Sequence, residues 1–230
     1  MSNLTGTERS KYVQSMFTKI AHRYDLMNRL MTGGQDIRWR KQVIKLARLT
    51  PNAALLDLGT GTGDLAREAL LQQPQAKVTA ADFTIEMMRV GNKNGNLEWS
   101  AADALNLPFK NITFDAVVSG FLMRNVTDIQ QALKEQYRTL KPGGRIVILD
   151  TTRPKKNLLS PFIWLHMHFI IPTIGGLLSG ERDAYNYLPD TTENFLTAEQ
   201  LAARMIAVGF KKVDFKRMMF GTIGIHWGEK

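Results

Sequence analysis

Val13, Met16, Phe17, Ile20 and Tyr24 recur at the three- and four-residue spacing of one helix face, so the chain opens on an amphipathic helix. Gly33-Gly34 breaks it, and a second, basic helix is expected over 36–49, ending before Pro51. The period then changes. A short apolar run at 54–58 leads into Gly59-Thr60-Gly61-Thr62-Gly63, and a helix over 65–71 stops near Pro74. A strand over 78–81 closes on Asp82, followed by a helix over 85–90 and strands over 97–101 and 114–119. A helix over 129–140 is stopped by Lys141-Pro142-Gly143-Gly144, and a strand follows over 145–149. This alternation reads as βα units on a parallel sheet across 51–152. The end differs: a helix over 201–208 precedes strands over 213–220 and 223–227 around Gly221-Thr222, a hairpin that requires an antiparallel strand in the sheet. The expected organisation is a helical cap (1–50), an α/β core (51–152), an apolar helical insertion acting as a lid (153–200), and a helix with a hairpin completing the sheet (201–230).

Charge adds a second layer. The 230 residues carry 30 Lys and Arg against 21 Asp and Glu, a formal charge of +9. Residues 1–50 hold ten of those cations and three of the acids, with Arg38, Arg40, Lys41, Lys45 and Arg48 clustered. Such a patch suits nucleic acid or an anionic membrane, or is simply a solvated helix face. The absence of cysteine excludes a disulfide framework, a thiolate nucleophile and a cysteine metal site. The polar first residues predict no secretory leader and a cytoplasmic protein. Residues 158–180 contain no Asp, Glu, Lys or Arg, a stretch long enough to span a bilayer. Pro161, Pro172 and Gly175-Gly176 interrupt it, and His166 and His168 would sit in lipid, so a spanning helix is rejected in favour of an apolar segment that lines a pocket, docks on a membrane surface or packs in the core.

The glycine run at 59–63 is the strongest local chemical signal. Glycines after a strand let backbone approach a ligand, and the next helix presents free N–H groups. Asp82, 19 residues after Gly63, is placed to accept both hydroxyls of a ribose. Nicotinamide enzymes use a similar pattern. Asp57, however, would repel a pyrophosphate and attract the ammonium of a methionyl group, and Asp103-Ala104 after the third strand suits an adenine amino group. These features are compatible with S-adenosyl-L-methionine, the cofactor that the resemblance described next implies, and no metal is expected.

Lys141-Pro142-Gly143-Gly144 and the terminal hairpin resemble class I methyltransferases, which implies a Rossmann-like α/β fold with a seven-stranded, mostly parallel sheet. Arg124-Asn125-Val126-Thr127-Asp128 resembles the Arg-Asn-Val-x-Asp stretch of the quinone C-methyltransferase family. Tyr24-Asp25-Leu26-Met27-Asn28, Leu107-Pro108-Phe109 with Phe114-Asp115, Asp183-Ala184-Tyr185-Asn186-Tyr187-Leu188-Pro189 and Gly224-Ile225-His226-Trp227-Gly228 resemble further elements of that family, in order along the chain. The resemblance implies cofactor contacts at Thr62, Asp82, Asp103, Ala104 and Gly120 with Ser119 beside it, and the glycine-run reading adds Asp57, Gly59, Gly61 and Phe83. It implies substrate contacts at Tyr24, Asn125, Asp183 and Tyr187. The chain departs from the family's Phe-Gly-Leu-Arg pattern at Leu122-Met123, which bears on substrate choice.

The implied reaction is methylation of a ring carbon of a prenylated quinol, demethylmenaquinol to menaquinol. A ring carbon becomes nucleophilic when the phenol ionises, so a cation favouring phenolate and a proton acceptor are required. Arg124 is the candidate cation, or else a structural ion pair. His226, Tyr185, Asp183 and Tyr24 are the candidate acceptors. The implied partner is a lipophilic prenylated quinol, with the chain resting on the inner membrane face; a homodimer is allowed. Methylation of another apolar phenol is the first alternative. A basic protein that binds RNA or membrane without methyl transfer is the second. A nucleic-acid enzyme is disfavoured, because Gly120-Phe121-Leu122-Met123 stands where an Asn/Asp-Pro-Pro-aromatic motif is needed and no cysteine exists for cytosine C5 chemistry.

Overall fold

A computed structural model describes residues 6–93, 95, 97–153, 160–165, 168–169, 173 and 191–230. Helices α1 (Gly6–Ile20), α2 (Tyr24–Thr32) and α3 (Gln35–Ala47) come first, α1 and α2 being joined by a 3₁₀ turn, Ala21–Arg23. Gly33 and Gly34 both take positive φ, 57° and 75°, which ends α2 and redirects the chain into α3. The core then runs β1 (Ala54–Leu58), α4 (Asp64–Gln72), β2 (Lys77–Asp82), α5 (Ile85–Asn92), β3 (Glu98–Ala101), β4 (Phe114–Gly120), α6 (Ile129–Thr139) and β5 (Leu140–Thr151). After α7 (Ser160–Leu165) come α8 (Ala198–Val208), β6 (Lys211–Met218) and β7 (Ile223–Glu229).

The seven strands form one sheet in the order β3-β2-β1-β4-β5-β7-β6. The pairs from β3 to β5 are parallel, and β7 is antiparallel to both neighbours. The sheet is therefore the expected one, with a single reversed strand supplied by the hairpin. Leu55, Leu56, Asp57 and Leu58 are all buried, as fits a central parallel strand covered on both faces. Trp39, Val43 and Ile44 of α3 with Leu65 and Ala69 of α4 cover one face. Ala132 and Leu133 of α6 with Leu201 and Met205 of α8 cover the other. Thus α3 packs on the sheet itself, although it falls in the stretch read as a cap.

Several boundaries differ from the sequence reading. The Lys141–Gly144 tetrapeptide, expected as a helix stop ahead of a strand, already belongs to β5. Gly143 and Gly144 exchange backbone hydrogen bonds with Lys230 at 2.9 Å each, so the far end of the chain holds the segment extended. At the hairpin the turn is a 3₁₀ element, Met219–Gly221, so β6 ends at Met218 and not at 220.

The strand order reverses between β1 and β4. Helices leave β1 and β4 in opposite directions there, opening a crevice at the strands' C-terminal ends. The glycine run begins at that point. It is clamped from behind by α5: Arg67 donates to the carbonyls of Thr62 and Gly91, and a Cβ on Gly91 would overlap the Thr62 carbonyl oxygen. Gly91→Ala is therefore expected to lower stability by about 1–3 kcal/mol despite alanine's better helix propensity. Urea denaturation of the variant measures this; an unchanged midpoint would contradict the clamp.

Candidate functional site

An open cleft lies over the C-terminal ends of β1, β2 and β4. Leu58, Gly59 and Gly61 supply its floor; Asp82, Phe83 and Thr84 follow β2, and Ala102 and Ala104 follow β3. Gly120, Phe121, Leu122 and Asn125 come from the loop after β4. Val13, Gln14, Phe17 and Tyr24 reach it from α1 and α2, and Met87 from α5.

The crook is shaped by left-handed glycines: φ is 67° at Gly59, 59° at Gly61 and 91° at Gly63. Its side-chain partners are two carboxylates, Asp57 fully buried and Asp82 half-buried. Asp57 accepts from the Thr60 hydroxyl at 2.6 Å and the Ala66 N–H at 3.0 Å. Its second oxygen, Oδ1, is buried with no partner among the described residues. Burial pushes the Asp57 carboxyl up to about 7. Asp82 accepts the Gly61 N–H and the Thr84 N–H, both at 2.7 Å, and burial raises its carboxyl too.

The N-terminal helices reach the loops after β1, β4 and β2. The Thr62 hydroxyl donates to Asp25 at 2.7 Å, Arg9 donates to the Arg124 carbonyl at 2.8 Å, and Gln14 reaches the Phe83 carbonyl at 3.3 Å. Thr62 thus turns to α2 and does not line the cleft. The Leu107-Pro108-Phe109 element is held by α6: Glu135 accepts the Leu107 N–H at 2.8 Å, and Arg138 donates to the Phe109 and Leu107 carbonyls. That anchor fixes Ala104 at the cleft. Asp103 is exposed beside it, with its carboxylate accepting from Leu105 at 2.9 Å.

Of the remaining sequence candidates, Tyr24, Asn125, Gly120 and Phe83 line the cleft. Ser119 is fully buried outside the lining, with no partner for its hydroxyl among the described residues. Arg124 lies behind Phe121, 5.0 Å over its ring, and pairs with buried Asp150 at 3.1 Å; its backbone N–H donates to the same carboxylate. Burial raises the Tyr24 phenol, which stays protonated at neutral pH. His226 does not line the cleft. It is 1% exposed on β7, its Nε2–H donates to the Ala198 carbonyl at 2.9 Å, and Phe215 packs against its ring. Burial lowers it to about 4. In this placement His226 ties β7 to α8. Asp183, Tyr185 and Tyr187 lie outside the described residues. Val13, Gln14, Thr84 and Met87 carry no chemical signature and were legible only as parts of a helix face or a strand end. Among the described residues no cluster of His, Asp or Glu is arranged to hold a metal.

The Asp57 environment has a consequence in pH. With its folded value near 7 and the ordinary value 3.8, the folded chain keeps a proton that the unfolded chain has lost. Its contribution to stability is greatest below pH 4 and falls as pH rises towards 7. Asp57→Asn keeps the acceptor oxygen and removes the titration. Between pH 5 and 8 the ligand-free variant is expected to gain on the parent by on the order of 2–3 kcal/mol. Urea unfolding at the two pH values checks it; parallel behaviour of the two proteins would contradict it.

The likeness to known proteins agrees with this geometry. The model of the ubiE/COQ5 methyltransferase family matches residues 5–230. A ubiquinone/menaquinone biosynthesis C-methyltransferase UbiE from Desulfotalea psychrophila is 46% identical over 221 residues, covering 95% of this chain and 90% of its own. A demethylmenaquinone methyltransferase from Thermus thermophilus is 41% identical over 220 residues, covering 94% and 100%. Solved structures share the fold at lower identity. The [4+2]-cyclase SpnF superposes with a TM-score of 0.71 at 15% identity, covering 99% of this chain and 97% of its own. A SAM-dependent methyltransferase from Thermotoga maritima, a possible histamine N-methyltransferase, gives 0.64 at 20% identity, covering 94% and 99%. With its glycine crook, its ribose-type acid on β2 and a family match that runs nearly end to end, the chain belongs to the ubiE/COQ5 methyltransferase family.

Proposed function

We propose that the chain transfers a methyl group from S-adenosylmethionine to a ring carbon of a prenylated quinol, demethylmenaquinol to menaquinol. The observation that carries this is the match to quinone-biosynthesis relatives over nearly the whole chain, joined to a cleft whose floor is the glycine crook and whose roof is apolar.

The residues fit the cofactor. A Cβ at Gly59 would press on Leu122 at 2.9 Å and at Gly61 on Met87 at 3.2 Å, both cleft-lining residues, so side chains at these positions would fill the cradle. Asp57 Oδ1 is an unsatisfied buried acceptor beneath it, of the kind a cationic ligand group completes. Asp82 would hold the ribose hydroxyls, and Phe83, Ala102 and Ala104 the adenine. When bound, S-adenosylmethionine supplies an electrophilic methyl group on sulfur.

The chain's own residues orient and exclude. Val13, Phe17, Tyr24, Phe121 and Leu122 present an apolar, aromatic wall suited to a quinol ring, and they keep water from the reacting carbon. Tyr24 acts as a neutral hydrogen-bonding phenol. Arg124, paired with Asp150 and stacked on Phe121, fixes the loop after β4 and puts positive charge beside the cleft, which favours the ionised quinol. Leu122 stands where the family pattern has glycine, and it lines the cleft. That observation favours, as a second reading, methylation of a different apolar phenol. The basic first 50 residues support peripheral contact with the inner membrane face. No helix among the described residues is long and apolar enough to cross a membrane.

Incubating the protein with methyl-labelled cofactor and a reduced demethylmenaquinone analogue tests the reading. Label on the ring carbon is expected; label on oxygen, or transfer only to unrelated phenols, would contradict it. Arg124→Ala is expected to cut turnover roughly 10²-fold while leaving cofactor affinity within about threefold. The change strands Asp150 in the interior, so stability is expected to fall by about 3–5 kcal/mol, and Arg124→Ala/Asp150→Asn should recover stability without turnover. Recovery of both in the double variant would leave Arg124 with a purely structural part.

A further inference from the structure

The outward face of the N-terminal helices carries a pattern the cleft does not use. Leu26 and Leu30 lie one turn apart on α2 and are 57% and 46% exposed, while Met27 on the inner side is buried. Arg23 stands three residues before Leu26 and Arg29 three residues after it, both exposed. Lys11 and Lys19 are exposed on α1. On α2 the only acid is Asp25, which turns inward to the Thr62 hydroxyl; the other acid of α1 and α2, Glu8, is exposed in the first turn of α1.

A single exposed leucine means little. A leucine pair on one helix face, framed by cations with no outward acid, is the pattern of a helix that lies in the interface of an anionic bilayer. The leucines enter the acyl boundary and the cations meet the headgroups. The inner face of the same helices contributes Val13, Phe17 and Tyr24 to the cleft. A bilayer on the outer face would therefore lie one helix thickness from the site.

We propose that the outer face of α1 and α2, centred on Leu26 and Leu30, docks the chain on an anionic lipid bilayer. The inference rests on the quinol reading above for its purpose, since a prenyl-tailed substrate resides in lipid.

The chain has no cysteine, so Leu26→Cys in the full-length protein accepts a single environment-sensitive fluorophore. Phosphatidylcholine vesicles containing about 30% phosphatidylglycerol should shift its emission to the blue. The same label at Ile206→Cys, exposed on α8, should not respond. No shift at position 26, or an equal shift with pure phosphatidylcholine, would overturn the proposal. Leu26→Ser/Leu30→Ser is expected to weaken co-sedimentation with the anionic vesicles about tenfold, leaving turnover of a tail-less, water-soluble quinol unchanged. Undiminished sedimentation would overturn it. So would lipid-free self-association that this pair abolishes, since that assigns the face to a second copy. Failure of the parent protein to methylate the tail-less quinol would instead overturn the quinol reading, with the vesicle data still deciding the docking face.

Discussion

The hydrogen bond from the Gly61 N–H to the Asp82 carboxylate, 2.7 Å long, joins the crook after β1 to the end of β2. The Thr60 N–H reinforces it by donating to the Ala81 carbonyl at 3.0 Å. The crook can take this path only because Gly59, Gly61 and Gly63 adopt left-handed backbone without penalty. Asp57 is fully buried and Asp82 half-buried at the cleft, and desolvation alone would favour the neutral acid at both. A compact core would avoid such groups. Their presence at the sheet's switch point marks a place where stability is surrendered for binding.

The N-terminal helices turn this crevice into a cleft. Arg9, Gln14 and Asp25 reach the loops after β4, β2 and β1 in turn, so one strap touches three of the loops that line the site. Behind the loop after β4, Arg124 and Asp150 form a buried pair whose value is conformational: the backbone N–H and the guanidinium of one residue converge on one carboxylate. Phe121 can then hold φ 58°, a conformation non-glycine residues rarely adopt, and present its ring to the cleft.

The core was legible because its signals are local. The apolar run 54–58 is β1 residue for residue, and the acid at the end of β2 follows from strand length and glycine spacing. The single reversed strand was legible from the hairpin. What escaped depends on contacts distant in sequence. Lys230 pairs with Gly143 and Gly144 across the sheet, extending β5 through a tetrapeptide that reads as a turn. His226 looks reactive as a letter, yet its partner is a backbone carbonyl on α8, invisible to any motif. Thr62 sits inside the glycine motif but answers to Asp25 on a helix 37 residues earlier. The closing of the cleft by α1 and α2 is likewise a tertiary event. Amphipathic spacing shows that those helices have a buried face, and says nothing of what lies under it.

A crystal structure with S-adenosylhomocysteine bound tests the central claim most directly. The ribose hydroxyls should meet Asp82 and the adenine should lie by Phe83 and Ala104, with the sulfur facing the wall formed by Tyr24, Phe121 and Leu122. A ligand seated away from the crook, or a crook closed by Leu122 and Met87 with the ligand excluded, would contradict it.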